Sequence, residues 1–472
     1  MGRLIQGIVV AGFQIKSGMT SKGMIMNQKK MIMVTGGAGY IGSFTVKQLL
    51  TAGYEVLVVD SMETGHEAAL HAATDSLQLT THNNLILEIA DIGDQSRMRE
   101  IFDKYPIEAV IDFAAYLAVG ESMENPKKYL ENNVVNFVKL LDVMKEKGCR
   151  FIIKSSTAAT YGNPDDKYFP LREDYQELVK PKESDLLPGK WDGKEVEKEA
   201  FFLAFMDEYR EIFKNRPDLW LSEEELAKLR ITTSIYGLTK LLDEIVLRKY
   251  EGAAGSRDQV TTSRHSGRDG IPDLVDAPKG AESNSIIGSR VKPGMTAINT
   301  GIKSIALRYF NVCGASEDGQ MGDDKPNPSN LMTLVIYNAL GKIDKLKVFG
   351  DDYPTKDGTG LRDYIHPIDL AKGHVKALKY LLDKQESNVF NLGTGDAYTV
   401  FELIKEVEKA SGKKVKYEIM SRRSGDPALS YANPSKANDI LGWQAEYTLE
   451  RMATTAWKWH STHPEGYRGG SW

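Results

Sequence analysis

From residue 31 onward, apolar positions fall into short dense runs separated by stretches with helical spacing. Met31–Thr35, Glu55–Asp60, Asn84–Glu88, Ala109–Phe113 and Arg150–Lys154 are rich in Val, Ile and Leu. Continuous runs of that length predict strands buried on both faces. Between the first two, Val46, Leu49 and Leu50 share one helical face, and helical patterning returns at 94–104 and 125–147. A further strand is predicted at Ile302–Phe310, with helices near 330–341, 367–383 and 399–411. Strands alternating with helices predict an α/β protein built on a doubly wound parallel sheet, whose ligands sit at the carboxyl ends of the strands.

Two segments break this rhythm. Residues 163–231 are rich in charge but keep helical signals: Ala200–Phe213 is amphipathic, and Ser222–Glu225 has the form of a capping box. They predict a folded helical insert placed to act as a lid. Residues 251–301 are dominated by Gly, Ser, Asp, Arg and Pro and predict a flexible surface loop. Residues 1–30 carry basic side chains, no acid and no long apolar run, and are expected to be a disordered leader. The organisation expected is this leader, a nucleotide-binding domain over 31–310 that carries both interruptions, and a smaller C-terminal α/β substrate domain over 311–472.

Composition narrows the function. With 41% hydrophobic and 26% charged residues, the 472-residue chain has the make-up of a water-soluble globular protein. A net charge of -5 provides no basic field for nucleic acid, so a phosphate ligand must be gripped locally. No apolar run approaches the ~18 residues of a membrane span. Two cysteines, Cys149 and Cys313, allow neither a disulfide framework nor a thiolate metal cluster, and they suit a reducing, cytoplasmic compartment. No metal, nucleic-acid or membrane partner is expected.

Candidate chemistry begins at Gly36-Gly37-Ala38-Gly39-Tyr40-Ile41-Gly42, between a strand and a helix. Absent side chains let the backbone turn tightly and approach a pyrophosphate, which the helix N-terminus then favours. Asp60 ends the next strand, about twenty residues on, where a carboxylate accepts ribose hydroxyls and repels a 2′-phosphate. The pattern predicts a Rossmann-type domain with NAD as cofactor. In Tyr236-Gly-Leu-Thr-Lys240, the phenol and the ammonium lie on one helical face. A phenol of pKa ~10 is a poor base at neutral pH, but cations beside it favour the phenolate. Ser155-Ser156-Thr157 follows a strand, where a hydroxyl can bind a substrate oxygen. Taken singly, a Tyr–Lys pair is also an ordinary solvated helix face and a strand-end hydroxyl an ordinary cap.

Together these motifs resemble the extended short-chain dehydrogenase/reductase family. Further phrases sharpen the likeness to its UDP-galactose 4-epimerases: Ala118–Ser122, Arg308–Asn311, Ser329–Met332, Val348–Tyr353, Asp357–His366 and the ending Trp457–His460. The likeness covers Met31 to the C-terminus apart from the two interruptions. It implies C4 epimerisation of a UDP-hexose through a transient 4-keto sugar. Tyr236 would be the base, Lys240 would hold the nicotinamide ribose and activate the phenol, and Thr157 would bind O4. The resemblance assigns Gly36, Gly39, Tyr40, Ile41, Gly42, Asp60, Asp91, Ile92, Asn132, Lys240 and Phe310 to the cofactor. It assigns Thr157, Asn311, Asn330, Leu331, Arg362, Arg423, Asp426 and Ser430 to the UDP-sugar. Arg422 adjoins Arg423, and either could face the diphosphate. Arg362 could instead pair with Asp363. His366 and His374 are expected to be packing or surface residues.

The resemblance makes position 430, bulky in relatives confined to UDP-glucose and UDP-galactose, a specificity position, and Ser430 there implies room for an N-acetyl group, hence for UDP-N-acetylglucosamine and its galacto epimer. The resemblance also implies a homodimer, through a helix pair of the nucleotide-binding domain. The chain departs from the family pattern at Asp112 and Leu117, where histidine and lysine are usual. Rivals are a 4,6-dehydratase, which needs an acidic pair where Ala158-Ala159 stand, and a non-catalytic NAD-binding scaffold.

Overall fold

Seven strands pair into one parallel sheet in the computed structural model, buried through most of their length except at the edge strand Leu85–Ile89, which is only partly buried. They are β1 (Met31–Thr35), β2 (Glu55–Asp60), β3 (Leu85–Ile89), β4 (Ile107–Asp112), β5 (Phe151–Thr157), β6 (Lys303–Tyr309) and β7 (Asn388–Leu392). Their order is β7-β6-β5-β4-β1-β2-β3. The order reverses between β1 and β4, where Thr35 pairs with Asp112, and this opens a crevice at the carboxyl ends. The structure describes residues 30–75, 77, 84–179, 185–252, 301–325, 328–423 and 426–469. The expected leader and the expected loop over 251–301 thus lie almost wholly outside the described residues.

The helices that cover the sheet and build the second unit are α1 (Tyr40–Thr51), α2 (Asn136–Glu146), α3 (Lys198–Ile212), α4 (Ile235–Glu251), α5 (Leu331–Ala339), α6 (Pro367–Lys384), α7 (Val400–Ser411) and α8 (Leu449–Thr462). On one face, Val46 and Leu49 of α1 and Leu378 and Leu381 of α6 share a core with Val34, Val58 and Leu307. On the other face, Leu140 and Leu141 of α2 and Leu238, Leu242 and Ile245 of α4 pack over Met33, Val110 and Ile152. A separate core joins α5, α7 and α8 through Val335, Leu403, Val407 and Met452. Beside it lie two small sheets. Leu346–Phe349 pairs with Tyr417–Met420 in one; Tyr398–Thr399, Leu361–Arg362 and Leu429–Ser430 form the other.

The chain leaves the large sheet after β6, near the boundary expected at 310/311, but it comes back. Helix α6 packs on the sheet, and β7 pairs with β6 from Asn388↔Ile305 to Leu392↔Tyr309. Residues 367–392 therefore belong to the first core although they follow the boundary in sequence.

The insert is helical, as its pattern implies. The capping box of Ser222 and Glu225 forms at the start of Glu223–Leu229, and α3 buries Phe201, Phe202, Phe205, Met206 and Tyr209. These side chains join the core of α2 and α4. Arg216 locks the contact, with Nη1 donating to Asp142 (2.9 Å) and Nη2 to the Tyr250 hydroxyl (3.0 Å). The insert thus extends the core of α2 and α4, with Pro217–Leu219 and Glu223–Leu229 packed against α4 and α3 against Pro126–Tyr129. Its first part reaches the second unit, where Phe169 stacks on Tyr431 and Leu171 bridges to Ala432.

Candidate active site

The crevice is shaped by where glycine stands. Gly36 turns the chain out of β1 at φ +66°, and a Cβ on Gly42 would lie 2.2 Å from the Gly36 carbonyl oxygen. Helix and loop therefore touch backbone to backbone. Gly39 caps α1 without a side chain, and the first turn of α1 holds no acid. Asp60 closes one side: its carboxylate accepts from the Ala38 and Met62 amides, each at 2.9 Å. Gly36, Gly39, Tyr40, Ile41, Gly42, Asp60, Asp91, Ile92 and Asn132 all line this cleft, as do Ser155, Ser156 and Tyr236. A turn that only glycine fits, a free helix start and a ribose-height carboxylate suit a dinucleotide.

Two expected cofactor residues stand off the wall. Lys240 is buried below it, its ammonium donating to the Ser155 carbonyl (3.0 Å) and hydroxyl (3.2 Å). Phe310 packs among Tyr161, Leu171 and Ile231.

Tyr236 and Lys240 stand one turn apart in the first half of α4, whose N-cap Ser234 accepts from the Gly237 amide. The Thr157 hydroxyl is a hydrogen-bonding neighbour of the Tyr236 phenol. Burial pushes that phenol up to about 12, against the Thr157 hydrogen bond, which pulls it down, and with Asp243, which raises it further. Burial, followed by the charge of Lys154, lowers Lys240 to about 7, with Asp243 and Asp112 opposing. The phenol is thus harder to ionise than its spacing from Lys240 suggests; a further cation beside it is needed.

The expected sugar-nucleotide residues gather in the second unit. Asn330 caps α5 through its side chain and also donates to the Val312 carbonyl at 2.6 Å, with Leu331 opening the helix. Asn311 follows β6 and is tied to Asp363 through a side-chain bond of 3.0 Å. Arg362 pairs in register with Ser430. Arg362 does not pair with Asp363, whose carboxylate accepts instead from Thr394, Gly395 and Ala432. Arg422 is bound to Asp352 at 2.7 Å, whereas Arg423 lies over the Phe349 ring, exposed and with no carboxylate partner among the described residues. This favours Arg423 for the diphosphate. Asp426 is exposed beside it. His366 and His374 are buried, and burial pulls both imidazoles down, to about 3 and about 4. They are packing residues.

Several wall residues were not foreseen. Tyr116 donates to Glu63 at 2.9 Å, linking the loops after β4 and β2. Tyr309, opposite Thr157 in the sheet, lines the cleft, as do Asp323, Asp324 and the distant Tyr467. Tyr309 stands inside the Arg308–Asn311 phrase and could have been read there. Nothing in local spacing points to Tyr467.

Comparison with known proteins agrees with this geometry. A family model described as GDP-mannose 4,6 dehydratase matches residues 33–178 and 297–456. The UDP-glucose 4-epimerase of Bacillus subtilis is 35% identical over 93% of this chain and 98% of its own length. The chain belongs to the UDP-glucose 4-epimerase family. Among solved structures, the Bifidobacterium longum UDP-glucose 4-epimerase in complex with NAD+ and UDP is 31% identical, covers 93% of this chain and all of its own, and has a TM-score of 0.66. The UDP-Glc/GlcNAc 4-epimerase of Campylobacter jejuni is 29% identical over 92% of this chain and 99% of its own, at a TM-score of 0.60. The dehydratase in the family model's description has no counterpart in this site: Ala158 and Ala159, in a 3₁₀ turn after Thr157, supply no acid.

Proposed function

We propose that the chain is an NAD-dependent epimerase that inverts C4 of a UDP-hexose, with Tyr236 as the base. The carrying observation is the Tyr236 phenol on the wall of a dinucleotide cleft, with Thr157 beside it and Lys240 one turn away. Bound NAD+ supplies a hydride acceptor and a positive ring. Tyr236 would take the proton of the C4 hydroxyl and return it to O4 once the 4-keto sugar has turned over and C4 has regained its hydride on the opposite face; Thr157 would hydrogen-bond O4 in each half of the reaction. Lys240 anchors the nicotinamide ribose from beneath the Ser155 wall. Arg362 and Arg423 provide the charge that holds a diphosphate. Asn311, Asn330, Leu331 and Asp426 frame the nucleotide, and Phe310 backs the pocket between the two units.

We also propose that N-acetylated substrates fit. Ser430 is small, sits beside Arg362, and is only partly buried. The similar Campylobacter jejuni protein is a 4-epimerase of both UDP-Glc and UDP-GlcNAc, which supports the reading. A cytoplasmic setting suits the two buried free cysteines. Among the described residues, no helix is long and apolar enough to cross a membrane. A homodimer, through a helix pair of the nucleotide-binding domain, stays part of this reading.

The test is direct. Purified protein is incubated with UDP-galactose, UDP-N-acetylgalactosamine and UDP-glucuronate, and C4 inversion is followed by proton NMR. Conversion of the first two supports the reading. No conversion of any, with cofactor bound, contradicts it.

A further inference from the structure

Beneath the cleft lies a group of charges that the proposed reaction does not use. Lys154, in β5, is fully buried between two carboxylates that are also fully buried: Asp112 at the end of β4 (2.6 Å) and Asp243 of α4 (3.1 Å). Thr35 and the Ala114 amide donate to Asp112, which fixes that carboxylate. The Lys154 ammonium also lies 3.8 Å from the Phe137 ring centre. Fully buried ion groups are costly, and apolar residues of equal volume often stabilise a core better. Packing alone therefore gives no reason for three charges here.

Their position gives one. Lys154 directly precedes Ser155, whose carbonyl and hydroxyl hold the Lys240 ammonium. Asp243 follows Lys240 by three residues, on the next turn of α4. Two ammonium and two carboxylate groups are thus buried close together, near enough for Lys154, Asp243 and Asp112 each to act on the Lys240 charge. We propose that the Asp112–Lys154–Asp243 triad is a positioning device for Lys240, with Lys154 and Asp243 setting, in opposite senses, the field in which that ammonium works. The proposal rests on the reading of Lys240 given above.

Other charges on the elements packed here are engaged away from Lys240. Glu244 of α4 binds Arg308 and Ser156, and Glu121 binds Lys128. The Tyr309 phenol, which feels both Tyr236 and Asp112, is a further titratable group beside the triad. Lys154 lowers Lys240, while Asp243 and Asp112 raise it, with Asp112 the weakest of the three. Signs follow from this order. Asp243→Asn removes an anion and lowers the Lys240 titration. Asp112→Asn together with Lys154→Met removes the stronger cation and the weaker anion and raises it.

The experiment titrates the lysine Cε resonance of Lys240, assigned by Lys240→Arg, in the NAD-loaded protein by carbon-13 NMR. It also records the alkaline limb of kcat. Asp243→Asn should move both to lower pH and the double variant both to higher pH, each by about one pH unit, the usual effect of a nearby buried charge. Lys154→Arg keeps the charge and should leave both in place. Shifts in the same direction, an unmoved titration in folded variants, or a shift in Lys154→Arg as large as in the double variant would overturn the proposal. The resonance is read without turnover. If Tyr236→Phe still inverts C4, the reading of the site fails, whatever the titrations show.

Discussion

Gly42→Ala isolates the contact on which cofactor binding depends. The new Cβ would stand 2.2 Å from the Gly36 carbonyl oxygen and 2.8 Å from the Gly37 Cα, both inside the 3.0 Å approach that real Cβ atoms essentially never make. Both obstacles are backbone, so no rotamer can relieve them, and α1 must move away from its loop. Overpacking of this kind costs about 1–3 kcal/mol. If the strain is relieved by opening the loop, the loss appears as cofactor affinity, weakened roughly 5- to 150-fold. Gly53→Ala is the control. Gly53 has φ +83° with nothing within 4 Å of its Cβ position, at the far end of the same helix. Alanine there should cost roughly 1 kcal/mol of stability and leave NAD affinity unchanged. Apoprotein would be titrated with NAD by calorimetry and melted in parallel. An affinity in Gly42→Ala within twofold of the parent, or an equal loss in Gly53→Ala, would refute the reasoning.

Three further outcomes are expected. Phe205→Ala empties a fully buried site in the core that the insert shares with α2 and α4, and should cost about 3–5 kcal/mol in denaturant unfolding; an insert that unfolds separately without lowering the main transition would argue against one shared core. Arg308→Met leaves Glu244 buried without its guanidinium partner (2.6 Å), at about 3–5 kcal/mol at pH 7. The pH dependence has a definite sign. Burial raises Glu244 but Arg308 outweighs it and holds the carboxyl below its ordinary value, so its stabilisation is present above pH ~4.3 and is lost on further acidification. Without Arg308 the carboxyl is raised by burial, so the deficit of the variant should shrink between pH 7 and 5; a constant deficit in unfolding titrations would contradict this. Finally, Ser430→Tyr should abolish conversion of UDP-N-acetylgalactosamine while UDP-galactose is still converted; equal rates on both sugars in the variant would remove residue 430 as the determinant.

The parallel sheet was legible because strands buried on both faces leave apolar runs that need no context. β7 was not: Asn388 and Asn391 interrupt its apolar residues, and only the fold reveals that Asn391 is buried, accepting from the Tyr161 hydroxyl. The glycine turn and Asp60 could be read because their chemistry is local. The wall contributed by Tyr467 could not, since it is brought to Tyr40 and His66 by packing of the second unit. The insert gave correct helices and a correct capping box, but amphipathicity does not say which core the apolar face joins. It joins that of α2 and α4. The upward push of burial on the Tyr236 phenol was hidden for a similar reason: spacing reports the nearby cation and is silent on burial.

Epimerisation at this site requires the phenol of Tyr236 and a bound nicotinamide to act on one carbon. Tyr236→Phe tests that requirement most directly, by NMR of UDP-galactose together with the cofactor content of the purified variant. The predicted result is full NAD content and a loss of C4 inversion of about 10²-fold or more. A variant that binds NAD and inverts C4 at the parental rate would contradict it.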